Sequence, residues 1–204
     1  MTNATELPAT DARARRAARL AVAQALPDVG LDWAGLDACP AWVARDVAER
    51  ELLSAHAGAW WLAASLRACI DGKRLTRVCE MLGEPRLNAL RDAPAIARAE
   101  ALGQAPSSLL PSAEDLPRHL VACGRALLGW SLPANARAPV LMAMGWAADA
   151  SHHAIFNAHA DWAHQALEAA LNDTAPPPES SDTGAAPELE AATERPSDGA
   201  DQIE

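Results

Sequence analysis

Four histidines and two aspartates crowd one stretch of this 204-residue chain: Asp149, His152, His153, His159, Asp161 and His164. Imidazole and carboxylate groups together can hold a metal ion or form an acid–base pair. A zinc site on a single helix wants histidines four residues apart, as in HExxH, and no two of these four have that spacing. Asp149 and His153 do, but an Asp/His pair at i, i+4 is equally a contact on a helix surface. His153, Asn157, Asp161 and His164 follow i, i+4, i+8, i+11 and therefore share one polar face of a helix. The expectation is a polar or partner-facing surface without a bound metal. A small helical ligand- or metal-binding protein using this histidine-bearing helix is the alternative.

No other constellation proposes a reaction. Cys39, Cys69, Cys79 and Cys123 contain no CxxC pair and sit among apolar neighbours or near helix ends. They read as reduced core thiols. Ser151 and His152 are adjacent but lack the third member of a triad, and there is no GxSxG. Gly72-Lys73 and Gly83-Glu-Pro do not match a phosphate-binding loop. The chain is expected to be no enzyme and to need no cofactor.

The composition favours helices as the elements that position these side chains. Half of the residues are apolar, Tyr is absent, Phe occurs once and Trp seven times. Alanine and leucine dominate over β-branched residues, and no alternating run of strand length is present. The large pieces of the core must be Leu and Trp. The net charge of −10 is unevenly placed. From Asp173 to the end there are nine acids and one arginine, a balance of −8, which leaves −2 for residues 1–172. Such a body lacks the basic field that nucleic-acid binding needs. No uncharged apolar run of membrane-spanning length occurs, and the N-terminus lacks a secretory apolar core. No direct membrane insertion is expected, and the location expected is cytoplasmic.

The spacing predicts an all-α, single compact multi-helix domain over 11–172, between a disordered 1–10 and a disordered acidic Pro/Ser-rich tail over 173–204. Asp11 caps a first helix to about Leu26, carrying Arg13, Arg15, Arg16 and Arg19, which read as a solvated face or one suited to an acidic surface or phospholipid heads. Gly30 and Gly35 break a loop in which Trp33 and Leu36 tuck onto the core. A helix from Pro40 runs to about Leu53, with a bend or a new start around Ser54 and His56-Ala57-Gly58. Short helices follow over 85–91 and 94–102. Ser112-Ala-Glu-Asp115 has the form of a capping box ahead of a helix with Leu116, Leu120, Cys123, Leu127 and Leu128. From Pro139 one long C-terminal helix is expected to about Asn172, with Val140, Met144, Ala147, Ile155, Trp162 and Leu167 on its stripe and bends at Gly145 or Ser151-His-His.

The most sharply punctuated stretch is Leu62–Gly83, LAASLRACIDGKRLTRVCEMLG. The apolar run to Ile70 stops at Asp71, a good N-cap. Leu75, Val78, Cys79 and Leu82 then form one helical face, closed by Gly83 in a left-handed cap position and by Pro85. Lys73, Arg74 and Arg77 make a basic outer face, either solvated or a docking patch for an acidic partner. The adjacent Trp60 and Trp61 point roughly 100° apart on a helix, so one is expected in the core and the other available to a second layer or a partner.

The run Arg67-x-x-Ile70-Asp71-Gly72-x-x-Leu75 … Leu82-Gly83 resembles the SctK/YscK-type accessory proteins of bacterial type III secretion systems. Gly129-Trp130-Ser-Leu-Pro133, leading into a Trp-containing helical region, is similar to the Hrp-type branch of that group. The resemblance implies a helical, non-catalytic adaptor of the cytoplasmic sorting platform. It would link a SctQ-type pod protein to the cytoplasmic part of a SctD-type inner-membrane ring, with a SctL-type stator nearby. It would thus lie peripherally at the cytoplasmic face of the inner membrane. The family has no catalytic residues to carry over. The partner-binding residues expected are Lys73, Arg74, Arg77, Trp60 and Trp61. A type III secretion chaperone is a further alternative, and substantial strand content would point to it.

Overall fold

The computed structural model describes residues 9–106, 108–147 and 150–174. Among them the chain is helical, without strands, and forms a multi-helix domain. Nearly all of the expected terminal segments lie outside these residues. At the edges, Ala9 and Thr10 already belong to α1 (Ala9–Ala25) and Asp173 to the last helix.

The centre is α3 (Val47–Trp61) crossed by α8 (Leu116–Ser131). Asp46 starts α3 with a full capping box: its Oδ1 accepts from the Glu49 amide at 2.8 Å, and Glu49 Oε2 accepts from the Asp46 amide at 3.0 Å. The single helix expected from Pro40 is therefore two elements, a 3₁₀ turn (Ala41–Ala44) and α3, because Arg45 and Asp46 are extended to form this cap. Beyond Leu53 the expected bend is also absent. Residues 53–59 are all buried, so the helix is enclosed on every side there. Ser54 and Gly58 are small because α8 passes against their backbone. A Cβ on Gly58 would lie 1.9 Å from the Leu120 carbonyl oxygen, and one on Gly124 would lie 1.7 Å from the Ser54 oxygen.

α8 buries Leu116, Leu120, Cys123, Leu127 and Leu128, the face that its spacing predicts. Ser112 and Asp115 do bond ahead of it. The Asp115 amide donates to Ser112 Oγ at 3.2 Å, and that hydroxyl donates to Asp115 Oδ2 at 2.7 Å, so the carboxylate takes a hydroxyl rather than a backbone amide.

The region read as one long helix is three: α9 (Ala134–Ala143), α10 (Ala150–Ala158) and α11 (Ala160–Asp173). α9 ends at Gly145 (φ 67°), where Trp146 N donates to Leu141 O and Gly145 N to Met142 O, the paired bonds of a Schellman cap. Trp146 then turns back to stack on Trp42, ring centroids 6.0 Å apart. The second break falls at His159, not at Ser151-His-His. It re-aims the stripe: Phe156 enters the core and meets Trp61 edge-on at 4.7 Å, while Ile155 is about half exposed. Trp162 on α11 is buried against α3 and donates to the Trp61 carbonyl at 3.1 Å.

The remaining helices wrap one side. α2 (Trp33–Ala38) is too short to bury a whole face; Leu36 is half-buried but Trp33 is 69% exposed, contrary to its expected place on the core. α4 (Ala63–Arg67) follows α3 after a kink at Leu62, then come α5 (Gly72–Leu82), α6 (Glu84–Asp92) and α7 (Pro94–Ala101). Gly83 joins α5 to α6 directly. Its φ 85°, ψ 149° is not the left-handed helical cap expected but an extended positive-φ conformation essentially restricted to glycine. No described helix is long and apolar enough to cross a membrane.

Candidate docking groove

A concave feature lies where α4 hands over to α5. It is a groove of about 540 Å³ lined by Ala64, Ala68, Cys69, Ala105, Pro106 and Leu110. Ile70 and Leu109 also border it, 98% and 97% exposed. Two large aliphatic side chains left almost wholly in water beside one groove, whose lining also includes Ser65, Asp71, Arg74, Glu100 and Ser108, is an arrangement associated with partner binding.

The local chemistry explains how both come to point outward. Cys69 turns inward and is buried. Asp71 is committed to capping α5, its Oδ1 accepting from the Lys73 amide at 2.9 Å. Ile70, between the two, is left facing solvent. Across the groove, residues 108–111 are held at both ends. Ser65 Oγ donates to the Ser108 carbonyl at 2.7 Å, and Arg74 Nε donates to the Pro111 carbonyl at 2.7 Å. Leu110 packs against the core, and Leu109 stands out between the two clamps. Arg67 and Glu100 face each other at 3.9 Å.

The residues expected to bind a partner divide sharply. Lys73 is exposed beside the groove, with no carboxylate in ion-pair range among the described residues. Arg74 is half-buried, 3.6 Å from Asp71 Oδ2 as well as bonded to Pro111, so its charge is largely used within the fold. Arg77 pairs with Glu80 at 2.8 Å on the exposed side of α5. Neither tryptophan offers a free ring. Trp61 is buried in the aromatic core, and Trp60 is half-buried with Nε1 donating to Asp173 Oδ2 at 2.7 Å.

The polar face of the histidine-bearing region packs on Trp130. Asn157 Oδ1 accepts from Trp130 Nε1 at 2.8 Å, and the His164 ring centroid lies 4.9 Å from that of Trp130. Asp149 lies outside the described residues, and no group of three His, Cys, Asp or Glu among them could hold a metal ion. All four cysteines are free. Burial pushes the Cys123 thiol up to about 11, which keeps it protonated and inert.

One titratable group carries no mark in the sequence. His56 is 1% exposed at the centre of α3, with Nδ1 3.8 Å from Asp173 Oδ2 and no partner for Nε2. Loss of hydration lowers its pKa, the nearby Arg86 lowers it further, and Asp173 opposes both. No local pattern points to His56, because the groups that meet it come from α6 and α11. Ile70 and Leu109 are hidden as site residues for a similar reason: an apolar run reads as core until the cap and clamps are seen.

No protein-family model, no curated protein and no solved structure matches this chain.

Proposed function

We propose that this protein is a non-catalytic adaptor that binds a partner protein through the groove between α4, α5 and residues 105–110. The observation that carries the proposal is the pair Ile70 and Leu109, each fully exposed on the same groove and each held outward by bonded neighbours. Burying both would contribute about 3–6 kcal/mol of transfer free energy to a complex, before the costs of association. Lys73, which has no carboxylate in ion-pair range among the described residues, adds a positive charge that would favour an acidic group on the partner.

The start of the run resembling SctK-type proteins, Ala68 to Arg74, lines one side of this groove. We therefore assign the adaptor to the sorting platform of a type III secretion system. There it would join a SctQ-type pod protein to a SctD-type ring, with a SctL-type stator in the same assembly. Attachment to the inner membrane would come through these partners. The strand-free described fold speaks against a mixed α/β secretion chaperone, and no described side-chain cluster favours the metal-binding reading.

The test is co-expression with the SctQ-like and SctD-like proteins of the same genome, followed by size exclusion with light scattering. A stable complex with the unaltered chain, lost with Ile70→Glu or Leu109→Glu at unchanged helix content, is the expected result. A chain that runs alone beside folded candidates would overturn the secretion assignment. A complex indifferent to both substitutions would remove the groove from it.

A further inference from the structure

The first half of α1 leaves the body bare. Positions 13–18 are all exposed, which is more than one full helical turn without a packed side. Most helical stability in a folded protein comes from packing one face, and this half of α1 packs none. This one is also charged against itself: α1 carries four arginines and one acid. Arg19 is neutralised by Asp37. Arg13, Arg15 and Arg16 have no ion-pair partner among the described residues. Arg13 and Arg16 repel at i, i+3, and Arg15 adds to the same cluster of unpaired positive charge. That charge favours an anionic contact.

The chain itself supplies one. Residues 175–204 contain eight acids and one arginine. They follow Thr174, which lies close to α1, for Thr174 Oγ1 accepts from Arg45 Nη1 at 2.7 Å, and Arg45 closes the 3₁₀ turn on which α1 packs; Val22 is buried toward the C-terminal end of α1. From Val22 back to Arg13 is about 14 Å along the helix. A thirty-residue segment reaches about 100 Å when extended, and its mean coil span is about 30 Å. We propose that the acidic segment 175–204 docks in cis on the Arg13/Arg15/Arg16 face of α1. This rests on α1 and on the chain's charge distribution, independently of the α4–α5 groove.

Hydrogen exchange on the full chain tests it. Neutralising four acids together (Glu179→Gln, Asp182→Asn, Glu188→Gln, Glu190→Gln) should speed exchange of α1 amides about five- to tenfold, with α3 and α8 unchanged, and high salt should do the same. Unchanged α1 exchange overturns the proposal. Lys73 is the chain's single lysine, which permits a direct check with a zero-length carbodiimide. In an Arg16→Lys variant the new amine should join a carboxylate between 179 and 204 within one molecule, while Lys73 does not. Cross-links only between two copies, or equally from Lys73, overturn the cis contact. Protection of α1 that requires anionic phospholipid vesicles and ignores the neutralised tail overturns it in favour of a membrane surface.

Discussion

Replacing Gly124 by alanine adds one methyl group where α8 crosses α3. That Cβ would stand 1.7 Å from the Ser54 carbonyl oxygen, 2.6 Å from its carbon and 2.8 Å from the Gly58 nitrogen. Every atom it meets is backbone in a helix buried on all sides, so no rotamer change relieves the overlap. The helices must separate by roughly 1.5 Å or more to reach ordinary van der Waals contact. A radial gap of even 0.5–1 Å already forfeits about a quarter to a half of each dispersion contact. The loss spreads along the crossing, from Leu53 and Ala57 on one helix to Leu120 and Leu127 on the other. Overpacking usually costs about 1–3 kcal/mol and occasionally more; against rigid backbone on every side the cost lies above that range, at about 3–5 kcal/mol, and alanine's better helix propensity returns about 1 kcal/mol. The net is about 2–4 kcal/mol, a large fraction of a typical stability of about 5–15 kcal/mol. Thermal unfolding should fall by about 5–15 °C. Gly72→Ala is the matched control: it sits in the first turn of α5, and a Cβ there would meet nothing within 4 Å. It should leave the midpoint unchanged or slightly raised. A Gly124→Ala protein within about 0.5 kcal/mol of the parent in urea would refute the backbone-contact account of the crossing.

Two further outcomes follow from side chains that tie distant elements. The folded-state pKa of His56 lies below its ordinary value, so the unfolded chain binds the proton more readily and stability rises with pH. Its contribution is fully present above about pH 6.5 and is lost as pH falls below that value toward the folded pKa; in urea titrations His56→Gln should flatten this part of the pH dependence. Arg137 closes the end of α8, donating to the Gly129, Trp130 and Leu132 carbonyls at 3.1, 2.9 and 2.8 Å. Arg137→Ala should cost about 1.5–3 kcal/mol in the same assay, and Arg137→Lys should recover little, because an ammonium cannot reproduce the fork.

The sequence speaks clearly where structure is set by neighbours in the chain. The helical class, the Asp71 cap, the buried face of α8 and a break of some kind at Gly145 each depend on residues a few positions apart. It speaks poorly where the deciding group is distant. The small residues Ser54, Ala55, Ala57 and Gly58 read locally as a bend, yet they are where α8 passes, and packing overrides propensity. Arg74 reads as part of an open basic face, but the Pro111 carbonyl that holds it lies 37 residues away. The sequence leaves open which of Trp60 and Trp61 is available to a partner, and Asp173, 113 residues on, accepts the Trp60 N–H.

Ile70 and Leu109 show the same limit from the opposite side, because an exposed aliphatic does nothing for the fold that a polar residue would not. Each forgoes the roughly 1.5–3 kcal/mol that burial of such a side chain contributes. Ile70→Asn and Leu109→Asn, alone or together, should therefore keep the thermal midpoint within about 2 °C of the parent, since surface changes of this kind stay within about 0.5 kcal/mol. A marked drop would mean that the two side chains pack in the free protein and would end their use as docking elements. A steady midpoint combined with lost partner binding is the result a docking role requires, for it separates what these residues do for the complex from what they do for the chain.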